Sequence, residues 1–282
     1  MQTIGFIDYY LDEWHANKYP QWIEAASGGE LKVTCAYGMV DAPSGRTNAA
    51  WASEMGIELL GSIEEVVARC DYLIVLSPDH PQYHEELARL PLQSGKPTYV
   101  DKTFAPDRAI ALRLFELARQ HGTPLFSSSA LRFAAEYEAA AGKRLDTLVS
   151  RGPGRYGNYA VHQLESIAML MGTDASRIMA VGTQQAPSLL LQYPDGRQAS
   201  MTHMAGSPFA LAWLEDGGQA GEAVAEGDFF ASFIANLVQF FRTGQPPVAP
   251  SVTVAVMTYI EYGAKAMQTP YQWVDLPAVQ GE

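Results

Sequence analysis

Tyr9, Tyr10, Trp14, His15, Tyr19 and Trp22 crowd into 14 residues, and Asp8, Asp12 and Glu13 stand among them. Flat rings beside carboxylates suit a carbohydrate face, through stacking and hydroxyl hydrogen bonds. Tyr9, Trp14 and His15 are therefore substrate candidates, although the same rings could pack against a neighbouring domain or subunit. A second group is Asp101-Lys102-Thr103, which follows the apolar run Thr98–Val100. A lysine at the carboxyl end of a buried strand can stabilise a developing alkoxide, and burial can lower its pKa enough for proton exchange. A third is His162 on the apolar segment Tyr159–Met171, with Asn158 one turn before it and Glu165 one turn after. A histidine there is either an acid/base group or a core residue. Asn158 can donate and accept hydrogen bonds but takes no proton at neutral pH, which leaves proton transfer to His162 and Lys102.

The remaining histidines raise the question of metal. His80 and His84 are spaced to share a helical face, yet Pro81 suits a first helical position and no third ligand is nearby. His162, Glu165 and His203 form another permissive set with nothing to support it. No metal is expected. Cys35 and Cys70 lie in or beside apolar segments, far from CxxC spacing, and read as reduced core residues of a cytoplasmic protein.

These groups need a scaffold, and the pattern supplies one. Strand-like runs at Thr3–Ile7, Leu31–Ala36, Tyr72–Leu76, Thr98–Val100 and Leu125-Phe126 alternate with helical patterns at Ser62–Arg69, Tyr83–Leu90 and Asp107–His121. Alternation of that length implies a doubly wound parallel sheet over residues 1–125, a Rossmann-like domain. Residues 126–282 change character. A helix is expected near Ala134–Ala141, followed by strands at Arg177–Thr183, Ser188–Tyr193, Gln198–His203 and Ala210–Leu214. Pro194-Asp195-Gly196 turns one strand back on the next. Helices over Phe229–Phe241, whose aromatics read as core, and Val252–Met267 complete an α+β domain with a largely antiparallel open sheet. Such a sheet must cover its bare face, so a homo-oligomer, dimer or tetramer, is expected through it.

Composition narrows the partners. Against 19 Lys and Arg stand 31 Asp and Glu, a net charge of −12 without a basic cluster, so nucleic acid is set aside. No apolar run approaches the ~18 residues of a membrane span, and the N-terminus enters a strand without a basic leader. A dinucleotide fingerprint, GxGxxG, is absent after the first strand, where Gly5 is followed by no glycine until Gly28. Acids stand where a diphosphate needs positive potential. No acid ends the second strand, where Tyr37-Gly38 follows Ala36, and Asp41 is the nearest substitute. Pro20 is expected to stop a helix running straight from the first strand, so the helix should begin at Pro20.

Other segments are similar to the Gfo/Idh/MocA oxidoreductases. The features are Ser77-Pro78-Asp79-His80 with His84, Ser94-Gly95-Lys96-Pro97-Thr98-Tyr99-Val100-Asp101-Lys102-Thr103, Arg132-Phe133, Asn158 through Glu165, and the Phe233–Gly244 helix and exit. The resemblance implies hydride transfer between NAD or NADP and a sugar, cyclitol or related polyhydroxy compound. It makes Lys102 the residue that polarises the reacting oxygen and His162 the acid or base, the two converging on one cleft. It places Asp8, Tyr10, Tyr37, Ser77, Pro78, Asp79 and Asp101 along the cofactor, and Arg132 and Glu165 with the substrate. Three departures stand out: the lost glycine turn, Asp-Lys-Thr for Glu-Lys-Pro, and Asn158 for an aspartate. They leave open a member without dinucleotide binding, doing non-redox acid/base chemistry on a sugar or only binding it.

Overall fold

Buried strands at the start of the chain pair in parallel and leave their carboxyl ends on one edge. The computed structural model describes residues 1–278. β1 (Gln2–Asp8), β2 (Leu31–Gly38), β3 (Glu58–Leu59), β4 (Tyr72–Val75), β5 (Thr98–Val100) and β6 (Leu125–Phe126) form one sheet in the order β3-β2-β1-β4-β5-β6. That order reverses direction between β1 and β4, where open α/β sheets bind ligands. In register, Ile7 lies opposite Tyr37 on one side and Val75 on the other, so β1 ends at Asp8 beside Gly38.

Local chemistry fixes the intervening helices. α1 (Trp14–Ala26) is followed by α2 (Asn48–Met55), which Thr47 caps and Gly56 ends at φ 64°. Ser62 caps α3 (Ile63–Arg69), and α4 (His84–Gln93) follows the β4 turn. Asp107 accepts from the Ile110 amide at the start of α5 (Arg108–Gln120).

α1 corrects one expectation, because Pro20 lies inside it and the helix starts six residues earlier. A proline in a helix interior removes the bond to the carbonyl four residues back and costs about 3 kcal/mol. Burying Tyr19 and Ile23 offsets that, at roughly 1.5–3 kcal/mol for each large side chain. The Glu13 carboxylate, which caps the first turn, adds to it.

The chain divides into two compact units, Met1–Ser127 with Phe233–Ala249, and Ser128–Ser232 with Pro250–Glu282. The sequence suggested one boundary near 125 and missed the return of the late segment. Aromatic packing accounts for it: on α7 (Phe229–Thr243), Phe233 meets Tyr99 at 5.4 Å, Phe240 meets Phe126 at 4.8 Å and Phe241 stacks on Tyr72 at 4.9 Å.

In the second unit the expected helix near 134–141 is instead two 3-10 turns, Ala130–Phe133 and Ala135–Ala139. Ala134 between them is extended, at φ −65° and ψ 119°, and Gly142 at φ 73° stops any continuation. The sheet is mixed: β7 (Leu145–Gly152), β8 (Arg177–Gly182), β9 (Pro187–Gln192), β10 (Gln198–His203), β11 (Ala210–Glu215), β12 (Ala220–Val224) and β13 (Trp273–Asp275) run in the order β12-β11-β7-β10-β9-β8-β13. Among the described residues of this sheet the β7–β10 pair alone is parallel. α6 (Tyr156–Met171) and α8 (Pro250–Ala266) accompany it. Across the sheet, Ala212, Val149, Ser200, Leu190, Met179 and Trp273 fall in one row, and each is partly or fully exposed.

Candidate functional site

At the carboxyl edge of the first sheet, the turn from β1 into α1 is where a dinucleotide fold receives a diphosphate on backbone N–H groups. Here the chain's own side chains take those groups. The Glu13 carboxylate accepts from the His15 amide at 2.8 Å and from the Ala16 amide. Asn48 Oδ1 takes the Leu11 amide at 2.9 Å, and Asp8 Oδ1 takes the Tyr9 amide at 2.7 Å. Asp12 is held by Arg46 through Oδ1 at 2.6 Å and by the Arg46 amide through Oδ2 at 2.7 Å. That guanidinium holds the Asp12 carboxyl down to about 2. The residues present do not fit a diphosphate at this helix end.

The same corner gathers ionisable groups. His15 Nδ1 lies 3.1 Å from Glu13 Oε2 and 3.8 Å from Asp101 Oδ2. Burial works to lower the imidazole pKa, but the charges of Asp101 and Glu13 outweigh it and the result is raised. Asp8 is 1% exposed, and burial, with the charges of Glu13 and Asp101, pushes its carboxyl far up. Tyr99 donates to Asp101 Oδ1 at 2.8 Å. Asp8 Oδ2 and Asp101 Oδ2 are buried and accept no hydrogen bond among the described residues.

Lys102 follows Asp101, is largely buried, and donates from Nζ to the Pro78 carbonyl at 3.3 Å. The β4 turn that carries Pro78 is shaped by Ser77, whose φ is 81° and whose hydroxyl donates to the His80 carbonyl. Pro78 is buried and Asp79 is exposed. Tyr37 ends β2 half-buried, while Asp41 accepts from the Asn48 amide at 2.7 Å. Tyr9 stacks on Tyr83 at 4.2 Å with His80 against it, and Tyr10 meets His80 edge-on. Trp14 lies exposed at the start of α1. His84 is a core residue: its ring nitrogens face the Phe104 and Leu76 carbonyls at 3.0 and 2.6 Å.

The second unit holds its own cluster. His162 Nδ1 is 2.6 Å from Ser129 Oγ, with Tyr159 and Phe209 edge-on to its ring. Glu165 is buried, accepts from Ser128 Oγ at 2.8 Å and the Ser129 amide at 2.6 Å, and lies 3.8 Å from Arg132. Asn158 sits exposed on the first turn of α6. His203 instead faces the Pro153 carbonyl at 3.2 Å, apart from this group. Among the described residues no group of three His, Cys, Asp or Glu side chains is placed to hold a metal.

Residues 15–129 match the family described as "Oxidoreductase family, NAD-binding Rossmann fold". Over that segment the chain matches the Gfo/Idh/MocA oxidoreductase family. No curated protein matches by sequence. The fold of the chain is similar to that of scyllo-inositol dehydrogenase from Lactobacillus casei, at 14% identity and TM-score 0.79, covering 97% of this chain and 98% of that one. It is also similar to myo-inositol 2-dehydrogenase from Lactobacillus plantarum, at 14% identity and TM-score 0.75, with 98% and 99% covered. GenD2 from gentamicin A biosynthesis, in complex with NAD, is similar at 14% identity and TM-score 0.75, with 99% and 97% covered.

Glu13, Tyr99, Ser128 and Ser129 hold these sites together, and motif matching did not select them. The acids after β1 were visible as a charge problem, but not as caps. The run Ser127-Ser128-Ser129 was the available signal in the second unit.

Proposed function

We propose that the protein is an NAD- or NADP-linked oxidoreductase acting on a sugar, cyclitol or related polyhydroxy compound. The family match and the inositol dehydrogenases among the similar folds support the class, and the NAD complex supports the dinucleotide. The observation that carries the reading is Lys102, a buried cation at the end of β5 within the matched segment. Its role is to hold the reacting oxygen by charge, worth most in a low-dielectric setting. Asp101 accompanies it, and Ser77, Pro78 and Asp79 shape the adjoining turn. His162 is assigned the proton and Asn158 a hydrogen bond, with Arg132 and Glu165 supporting them from within the second unit.

The test is reduction of NAD+ or NADP+ by a panel of inositols and aldoses, followed by absorbance. Lys102→Ala should lower kcat/KM at least about 100-fold. Absence of reduced nicotinamide with every substrate would overturn the redox assignment. A second reading, acid/base chemistry without a dinucleotide, is favoured by Glu13 on the α1 amides. Deuterium uptake from D2O at the carbon next to the carbonyl of an aldose or ketose, in dinucleotide-free protein, would select it. The exposed row through Val149 and Leu190 supports self-association through the second sheet, which a sedimenting monomer at micromolar concentration would exclude. Free Cys35 and Cys70 support a cytoplasmic location.

A further inference from the structure

The corner between β1, α1 and β5 has the elements of a binding site but the wrong charge for the ligand its fold family carries there. Three carboxyl groups, Asp8, Glu13 and Asp101, interact across it, and among the described residues His15 and Lys102 bring the compensating positive charge. A diphosphate adds at least two negative charges and needs free amides. Glu13 already occupies the His15 and Ala16 amides, so the helix end is satisfied by a carboxylate belonging to the chain.

Two oxygens nevertheless remain without partners. Asp8 Oδ2 and Asp101 Oδ2 are on side chains that are 1% exposed, and neither accepts a hydrogen bond among the described residues. Buried oxygens left this way mark places where a ligand or water supplies the missing bond. Their other oxygens are fixed, Asp8 Oδ1 by the Tyr9 amide and Asp101 Oδ1 by the Tyr99 hydroxyl, so both side chains are aimed rather than adrift. The His15 ring lies beside them, 3.8 Å from Asp101 Oδ2.

We infer that this corner is a hydroxyl-binding site in place of a diphosphate cradle: a neutral polyhydroxy ligand bonds its hydroxyls to Asp8 Oδ2, Asp101 Oδ2 and His15, and Glu13 shuts the α1 N-terminus to phosphates. The ligand class rests on the polyhydroxy reading above; the exclusion of phosphate rests on the amides alone. Asp8, raised by burial, donates a proton to a hydroxyl oxygen, while Asp101 accepts from one, a pairing that a neutral polyol satisfies and a polyanion does not. A dinucleotide serving this protein seats its diphosphate away from these amides.

The experiment is calorimetry on the full chain with two probes, a panel of myo-inositol, scyllo-inositol, glucose and xylose, and inorganic pyrophosphate. The wild type should bind at least one neutral member and not pyrophosphate. Asp8→Asn should weaken the neutral ligand at least tenfold. Glu13→Ser keeps a good helix cap but frees the anion position, and should gain pyrophosphate binding by at least tenfold. Pyrophosphate binding to wild type that Glu13→Ser leaves unchanged would overturn the inference, as would silence from the whole neutral panel. Circular dichroism confirms that each variant is folded. Redox turnover is read separately: neutral binding without turnover removes only the oxidoreductase assignment. Turnover that pyrophosphate inhibits at this corner removes only the inference.

Discussion

Asp8 and Glu165 are both buried carboxyls, and burial raises the pKa of each, yet their surroundings differ. Glu165 has a partner on every side: Ser128 Oγ, the Ser129 amide and, at 3.8 Å, Arg132, all of which pull its pKa back down. Asp8 accepts from the Tyr9 amide on Oδ1 and from nothing on Oδ2 among the described residues, and two further carboxyls push the same way as burial, against the Tyr9 and Tyr10 amides. A buried acid whose oxygens are satisfied holds loops together. One left half-satisfied is held for something the chain does not contain.

The largest effect should come from the satisfied site. Glu165→Ala strands a serine hydroxyl, a backbone amide and the Arg132 charge, and breaking a buried ion pair costs about 3–5 kcal/mol. Asp8→Asn keeps the acceptor for the Tyr9 amide and offers an N–H₂ to the neighbouring carboxyls. At about pH 4, before the Asp8 proton is lost, it should change stability by no more than about 1 kcal/mol. Urea unfolding of the two variants measures both. Equal losses would break the comparison and make Asp8 a structural residue like Glu165.

Most of the scaffold was legible because strand and helix signals there are local. The run Tyr72–Val75 is apolar throughout, and Asp107 and Ser62 announce the helices they cap. The site was less legible, since its decisive bonds join residues far apart in the chain. Asn48 reaching Leu11 and Ser129 reaching His162 have no sequence periodicity to betray them. Pro20 misled for a related reason: a strong local rule against proline in helices gave way to a Glu13 cap and to burial of Tyr19. The resemblance supplied Lys102 and His162, whereas the misfit to it, three acids after β1, pointed at the more informative corner.

A pH series sharpens the contrast. The folded-state pKa of Asp8 lies above its unfolded value near 4, so the folded chain binds this proton more tightly than the unfolded one. Stability from this group is therefore full at acid pH and falls as pH rises from about 4 towards the raised folded value. Asp8→Asn removes that slope, and the variant should gain on the wild type as pH increases. Denaturation curves across that range should diverge upward. Parallel curves would mean that Asp8 is ionised in the folded protein. Asp12 runs the other way: held down to about 2 by Arg46, it contributes above about pH 4 and is lost only as pH falls through that lower value.

The smallest change in stability should come from Glu13→Gln, because the amide oxygen still accepts from one of the two α1 amides that Glu13 caps, while the charge and the second acceptor are lost. A shift of a few tenths of a kcal/mol is expected, as for mild changes at a helix cap. The informative readout is His15. Burial lowers its pKa while Asp101 and Glu13 raise it, and the balance in the wild type is upward. A raised histidine contributes stability that is complete below about pH 6.5 and disappears as pH climbs through its folded value. With Glu13 neutral, Asp101 at 3.8 Å is left to oppose burial without help. The His15 ring resonance in an NMR titration should then move its midpoint to lower pH. An unmoved His15 midpoint would show that Glu13 acts on the helix amides alone. The corner would then be a helix cap whose carboxylate leaves the His15 charge to Asp101 alone.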